Sequence, residues 1–151
     1  MEKIKLINLI AAIASIVSVA VPAFGYNSAY DRAYWILGFF LNNEGAFFLP
    51  TSGKPEDAFL YSLSPAGAIA IIFGAVVLLL SLNPKFKLPL FTMIGWIATL
   101  AGCGLIIVFG FTANIDGPMF LWPTLYPAGI FGAFAGGGLS LVSWIMQTVK
   151  R

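Results

Sequence analysis

The residues of this sequence that could work as acid and base are the carboxylates Asp31, Glu44, Glu56, Asp57 and Asp116, since a pair of carboxyls in the right environments can hold and release a proton in turn. Nothing in their spacing selects a pair. They read as solvated loop charges, with Asp31 and Arg32 forming a surface ion pair of small energetic worth. There is no histidine, which excludes imidazole-ligated haem, His-based metal sites and every catalytic scheme built on an imidazole base. The single cysteine, Cys103, stands in an apolar stretch. Neither an intramolecular disulfide nor a thiolate cluster can form, and the thiol is expected to behave as a small buried hydrophobe. No catalytic residue, no metal and no cofactor is expected, and the chain is read as not an enzyme.

The elements that carry these residues follow from composition. Of 151 residues, 60% are hydrophobic and 9% charged, whereas a soluble domain carries about 25% charged residues. A helix crossing hydrocarbon needs about 20 mostly apolar residues, each advancing about 1.5 Å across about 30 Å. Residues 6–24, 65–82, 88–112 and 127–149 meet that length and contain no Asp, Glu, Lys or Arg. The expectation is an all-α membrane protein, a single domain built as a four-transmembrane-helix bundle. An outer loop spans 25–64, an inner loop 83–87 and a second outer loop 113–126. The first segment also has the layout of a secretory signal peptide, with a basic start and small residues at Ser18 and Ala20. It is read as a retained transmembrane helix.

Basic residues near helix ends stay in the cytoplasm. Lys3, Lys5, Lys85, Lys87, Lys150 and Arg151 fall on one side of this arrangement, while Arg32 and Lys54 share the other with the loop carboxylates. Both termini are therefore expected inside, in a plasma membrane, and the net charge of +2 does not indicate nucleic acid. No charge lies within the spans, so ion-coupled or proton-coupled transport is not expected. Asn8 and Gln147 fall near the inner interface, where water could satisfy them, and receive no site role. Trp96 falls deeper, where its indole N–H needs an internal partner.

Helix boundaries have local causes. Ser64 before Pro65 suggests a capped helix start, and Pro84 after Asn83 suggests a helix end. An internal echo is also visible. Pro65, Ala66 and Gly67 match Pro127, Ala128 and Gly129, while the stretch from Ile10 to Ser15 resembles that from Ile94 to Thr99. This suggests two related helical hairpins about an axis along the membrane normal.

The first outer loop is too long for a connector and too aromatic for disorder. Phe39 and Phe40 precede Asn42, Asn43, Glu44 and Gly45, and Phe47 and Phe48 follow. This could close a β-hairpin with Phe40 opposite Phe47 and Phe39 opposite Phe48. The competing expectation is an interfacial helix over residues 28–41 that lays Tyr34, Trp35 and Leu37 in the headgroup region. On either reading Trp35, Phe39, Phe40, Phe47 and Phe48 form a contact surface for lipid, the bundle top or another protomer.

Within the spans the sharpest pattern is Ala128, Gly132, Gly136 and Ser140, small residues recurring every fourth position. Ala66, Ala70 and Gly74 make a similar stripe. In lipid, helices associate by close packing because the hydrophobic effect does not drive them together. The stripes are therefore helix-packing seams within the bundle or faces for a second protomer.

Four spans with both ends inside, a long first outer loop and a short second one resemble the claudin and peripheral-myelin-protein class of tetraspan proteins. The run Tyr34, Trp35, Ile36, Leu37, Gly38, Phe39, Phe40 is similar to that class's aromatic Trp-Gly-Leu-Trp strand, although the family's cysteine pair has no counterpart in this loop. The resemblance implies a non-enzymatic protein that assembles laterally as a homo-oligomer or with other membrane subunits and makes structural or adhesive contacts at the cell surface. Two other functions are compatible with the residues: accessory subunit of a larger membrane complex, for example a respiratory one, and oligomeric pore.

Overall fold

The structure, a computed structural model, describes residues 2–26, 32–37, 40–41, 47–48, 55–112 and 128–149. Four helices carry the chain: α1 (Glu2–Ala20), α2 (Pro55–Leu80), α3 (Leu88–Thr112) and α4 (Ala128–Val149). Each contains a stretch long and apolar enough to cross a membrane, at Lys3–Ala20, Ser62–Leu80, Leu88–Phe109 and Gly129–Val149. The protein is thus an all-α, multi-pass membrane protein whose solvent is the lipid bilayer. Large apolar side chains such as Ile13, Ile69, Phe73, Phe131 and Val142 face outward, as a helix in hydrocarbon permits because its backbone is satisfied internally.

Two helices differ in extent from expectation, the first ending earlier and the second starting earlier. The first helix begins at Glu2 and ends at Ala20, because Pro22 disfavours helical geometry in the residue before it. The second begins at Pro55 and runs through Pro65 without a break. Ser64 does not cap a helix start; its Oγ donates to Ile36 O at 2.7 Å. Pro65 removes one backbone donor, which the extended helix tolerates.

Between α1 and α2 four short strands form an antiparallel meander, β1 (Pro22–Tyr26), β2 (Arg32–Trp35), β3 (Phe40–Leu41) and β4 (Phe47–Phe48), in the order β1-β2-β3-β4. The strand over 32–35 overturns the interfacial helix at 28–41. Aromatic and β-branched side chains fit a pleated surface, and Tyr34 pairs with Phe24 on one side and Phe40 on the other. Phe40 pairs with Phe48 and Leu41 with Phe47, one residue away from the expected register. Phe39, the expected turn residues 42–45, the second outer loop at 113–126, Lys150 and Arg151 lie outside the described residues.

The core divides along the bundle. Near the sheet, Val19, Ile36, Ala68, Ile71, Cys103, Ile106, Phe109, Ile130 and Ala133 pack together. Towards the other end, Ala11, Ala12, Ala75 and Leu78 make a smaller cluster. That end carries Lys3, Lys5, Lys85 and Lys87 and is called the basic end below.

Candidate functional site

The small-residue stripes become two seams inside one chain. In the first, α2 lies on α3. A Cβ added to Gly74 would strike Thr99 Oγ1 and come within 2.7 Å of Gly95 O. At Gly67 it would lie 2.8 Å from Gly102 O, and at Gly102 2.6 Å from Gly67 O. In the second seam, α4 lies on α1. A Cβ on Gly136 would strike Ser15 Oγ and approach Ala11 O to 2.8 Å, and one on Gly132 would meet Ser18 Cβ at 3.1 Å. Backbones this close leave no room for a side chain, which is the use lipid-embedded helices make of glycine. Ser140 is buried in the bundle and bonds back to Gly136 O and Gly137 O. Ala70 is half-buried and Ala66 exposed. Only the backbone of Ala128 is described.

The two seams repeat one device. Thr99 Oγ1 donates to Gly95 O at 2.9 Å, and Gly74 sits over that pair; Ser15 Oγ donates to Ala11 O at 2.9 Å, and Gly136 sits over that pair. These positions correspond under the internal echo: matching Ile10 to Ile94 also matches Ala11 to Gly95 and Ser15 to Thr99. Matching Pro65 to Pro127 also matches Gly74 to Gly136. This is the correspondence that two related hairpins, α1/α2 and α3/α4, would show.

The aromatic loop is fastened to the bundle top. Trp35 Nε1 donates to Ala20 O at 3.1 Å, Ile36 O accepts from Ser64, and the Ile36 side chain is fully buried in the core. Leu37 remains exposed. The strands place the backbones of Phe40, Phe47 and Phe48 in the same sheet as Trp35.

At the basic end Asn8 and Gln147, expected to be satisfied by water and given no site role, are buried and bonded to side chains of other helices. Asn8 is 0% exposed and Gln147 8%. Asn8 Nδ2 donates to Ser81 Oγ at 2.9 Å and Thr92 Oγ1 at 2.8 Å, and Gln147 Nε2 donates to Thr92 Oγ1 at 3.2 Å and Ser143 Oγ at 3.3 Å. The knot joins α1, the exit of α2, α3 and α4. Lys5 Nζ closes it on the basic side by donating to Leu82 O at 3.1 Å. A signal for this site was present in the sequence: the α4 stripe continues from Ser140 to Ser143 and Gln147 at helical spacing. Asn8 and Thr92 are mates under the same echo, as are Ser81 and Ser143. Trp96 packs its ring on Trp144 with centroids 5.8 Å apart, and its buried Nε1 has no acceptor among the described residues, whereas an internal partner was expected.

Among the described residues no group of His, Cys, Asp and Glu could hold a metal ion. Fold and site together define a four-span integral membrane protein with a sheet at one end of the bundle and a polar knot at the other. No protein-family model, curated protein or solved structure matches this chain.

Proposed function

We propose that this protein is a non-enzymatic tetraspan of the plasma membrane that self-assembles laterally and makes structural or adhesive contacts through its aromatic outer loop. The observation that carries the reading is the fastening of that loop through Trp35, Ile36 and Ser64. A loop ordered before contact pays less conformational entropy on meeting a partner, and exposed apolar side chains such as Leu37 favour contact over hydration. Lysines gathered at the opposite end support cytoplasmic termini.

The seam glycines serve packing within one chain, so lateral assembly in this proposal uses the lipid-facing surface. There Ala101 and Gly104 on α3 are exposed, and nothing stands within 4 Å of a Cβ at Gly104. Full-length protein in mild detergent should elute as a multimer by light scattering, and vesicles carrying it should cluster. Trp35→Ala should abolish clustering while leaving the multimer intact. A monodisperse monomer that clusters no vesicles overturns the proposal, and recovery from native membranes only with cofactor-bearing subunits replaces it with an accessory role. Tags at either terminus that react from outside the cell overturn the orientation.

A further inference from the structure

The polar knot has an unusual donor and acceptor balance. Ser81 Oγ donates its proton to Leu78 O at 2.5 Å and Thr92 Oγ1 donates its own to Leu88 O at 2.8 Å. A hydroxyl has one proton, so towards Asn8 and Gln147 these two oxygens can only accept. That fixes both amides with their NH2 groups turned inward to Ser81, Thr92 and Ser143. Rotating either amide by half a turn would set its carbonyl against the Thr92 hydroxyl oxygen, lone pair to lone pair. Asn8 Oδ1 and Gln147 Oε1 are consequently buried and accept from no group among the described residues. Both belong to amides bonded to the same atom, Thr92 Oγ1.

We propose that the knot is a binding site for an ordered water molecule that donates one proton to Asn8 Oδ1 and the other to Gln147 Oε1. The chemistry selects a small neutral double donor. A metal cation would also suit carbonyl oxygens, but the ammonium of Lys5 is bound at Leu82 O, one residue beyond Ser81, and Lys3, Lys85 and Lys87 share that end; their positive potential opposes it. Water has lone pairs to spare. The buried Trp96 Nε1, one helical turn along α3 from Thr92 and without an acceptor among the described residues, supplies a proton for one of them. One molecule then answers three unmet groups, matching the roughly three hydrogen bonds a buried water makes. The site ties α1, α3 and α4 together.

Gln147 is the only glutamine in the chain, so selective labelling gives a single side-chain NH2 resonance. With the full chain in lipid nanodiscs, that NH2 should show a cross-relaxation peak to long-lived water, as should the Trp96 indole N–H, assigned by its loss in Trp96→Phe. Asn8→Leu, which removes one acceptor, should weaken the Gln147 peak at least fivefold. Ser140→Ala, which alters a hydroxyl bonded only to its own helix, should leave it unchanged. A sharp Gln147 resonance with no water peak in the unaltered protein overturns the proposal, and so does a peak that persists at full strength in Asn8→Leu. Should Asn8→Leu fail to fold, the two peaks in the unaltered protein decide alone. A shift of the Gln147 resonance on exchanging sodium chloride for choline chloride, with no water peak, overturns it in favour of a cation.

Discussion

The α2/α3 and α1/α4 seams make the same contact with different neighbours. In each, a glycine lies over a hydroxyl bonded back to the carbonyl four residues earlier, Gly74 over Thr99 and Gly95, Gly136 over Ser15 and Ala11. They differ in what surrounds that contact. The α2/α3 seam adds glycines on both helices, with Gly67 and Gly102 facing each other's carbonyls, and seats Leu78 against Gly95. The α1/α4 seam has alanine at the position of Gly95, serine at that of Gly102 and Ser140 at that of Leu78. The difference teaches that close backbone approach is what the fold requires. The residues flanking it can be apolar or hydroxylated, provided any hydroxyl bonds to its own helix.

The largest effect is expected where backbone meets backbone. Gly74→Leu places a branched side chain against Gly95 O and the Thr99 backbone, neither of which can swing aside. Overpacking in a close-packed interior costs about 1–3 kcal/mol and sometimes more, and this substitution should reach or exceed the upper figure of about 3 kcal/mol. Unfolding by detergent titration, followed by tryptophan fluorescence, measures it. A loss below about 1 kcal/mol would mean that α2 and α3 can separate without consequence.

A smaller effect tests whether the seams are equivalent. Gly136→Ala should cost about 1–2 kcal/mol, part of it from the Ser15 hydroxyl and part from Ala11 O. In a Ser15→Ala background the hydroxyl share should return, with a coupling of at least about 0.5 kcal/mol. The matching cycle of Gly74→Ala with Thr99→Ala should give a coupling of the same sign and similar size. Opposite signs would break the two-fold relation between the hairpins.

How much of this could be read beforehand depends on what each feature needed. Spans were legible because a run without charges, such as that from Leu88 to Thr112, has one stable place in a membrane. The glycine stripe was legible as a seam, but its neighbour was not, since spacing on α4 says nothing of α1 until the helices pack. The sheet was harder still. Residues such as Ala33 and Tyr34 suit either a strand or an interfacial helix, and only pairing with β1 and β3 decides. The burial of the polar knot is not legible in the sequence, because the distance of Asn8 and Gln147 from the helix ends does not reveal it. Burial of an amide depends on partners contributed by other helices, and Thr92 looks unremarkable by itself.

A third experiment converts one seam into the other. A side chain at Gly95 would have to displace Leu78, whose Cγ lies 2.6 Å from where a Cβ would stand. The equivalent position on α1 already carries a side chain, Ala11, and the residue equivalent to Leu78 is the shorter Ser140. Gly95→Ala should therefore cost about 1–2 kcal/mol alone and less in a Leu78→Ser background, by about 1 kcal/mol of coupling. Equal costs in both backgrounds would show that α3 is held away from α2 by something other than Leu78.

The smallest effect separates seam glycines from those facing lipid. A Cβ at Gly104 or Gly138 meets nothing within 4 Å, so Gly104→Ala loses no packing and gains backbone rigidity. In a helix this change is worth about 0.5–1 kcal/mol in favour of alanine, and stability should stay level or rise by that amount. Gly104→Leu should likewise leave unfolding unchanged, yet on the proposal that α3 carries the lateral contact it should lower the multimer fraction seen by light scattering. Glycines within one helix would then divide by direction: Gly95 and Gly102 hold the chain together, while Gly104 leaves room for a neighbour. A destabilisation at Gly104 as large as that at Gly74 would erase the distinction, because it would place α3 against its own chain on both faces.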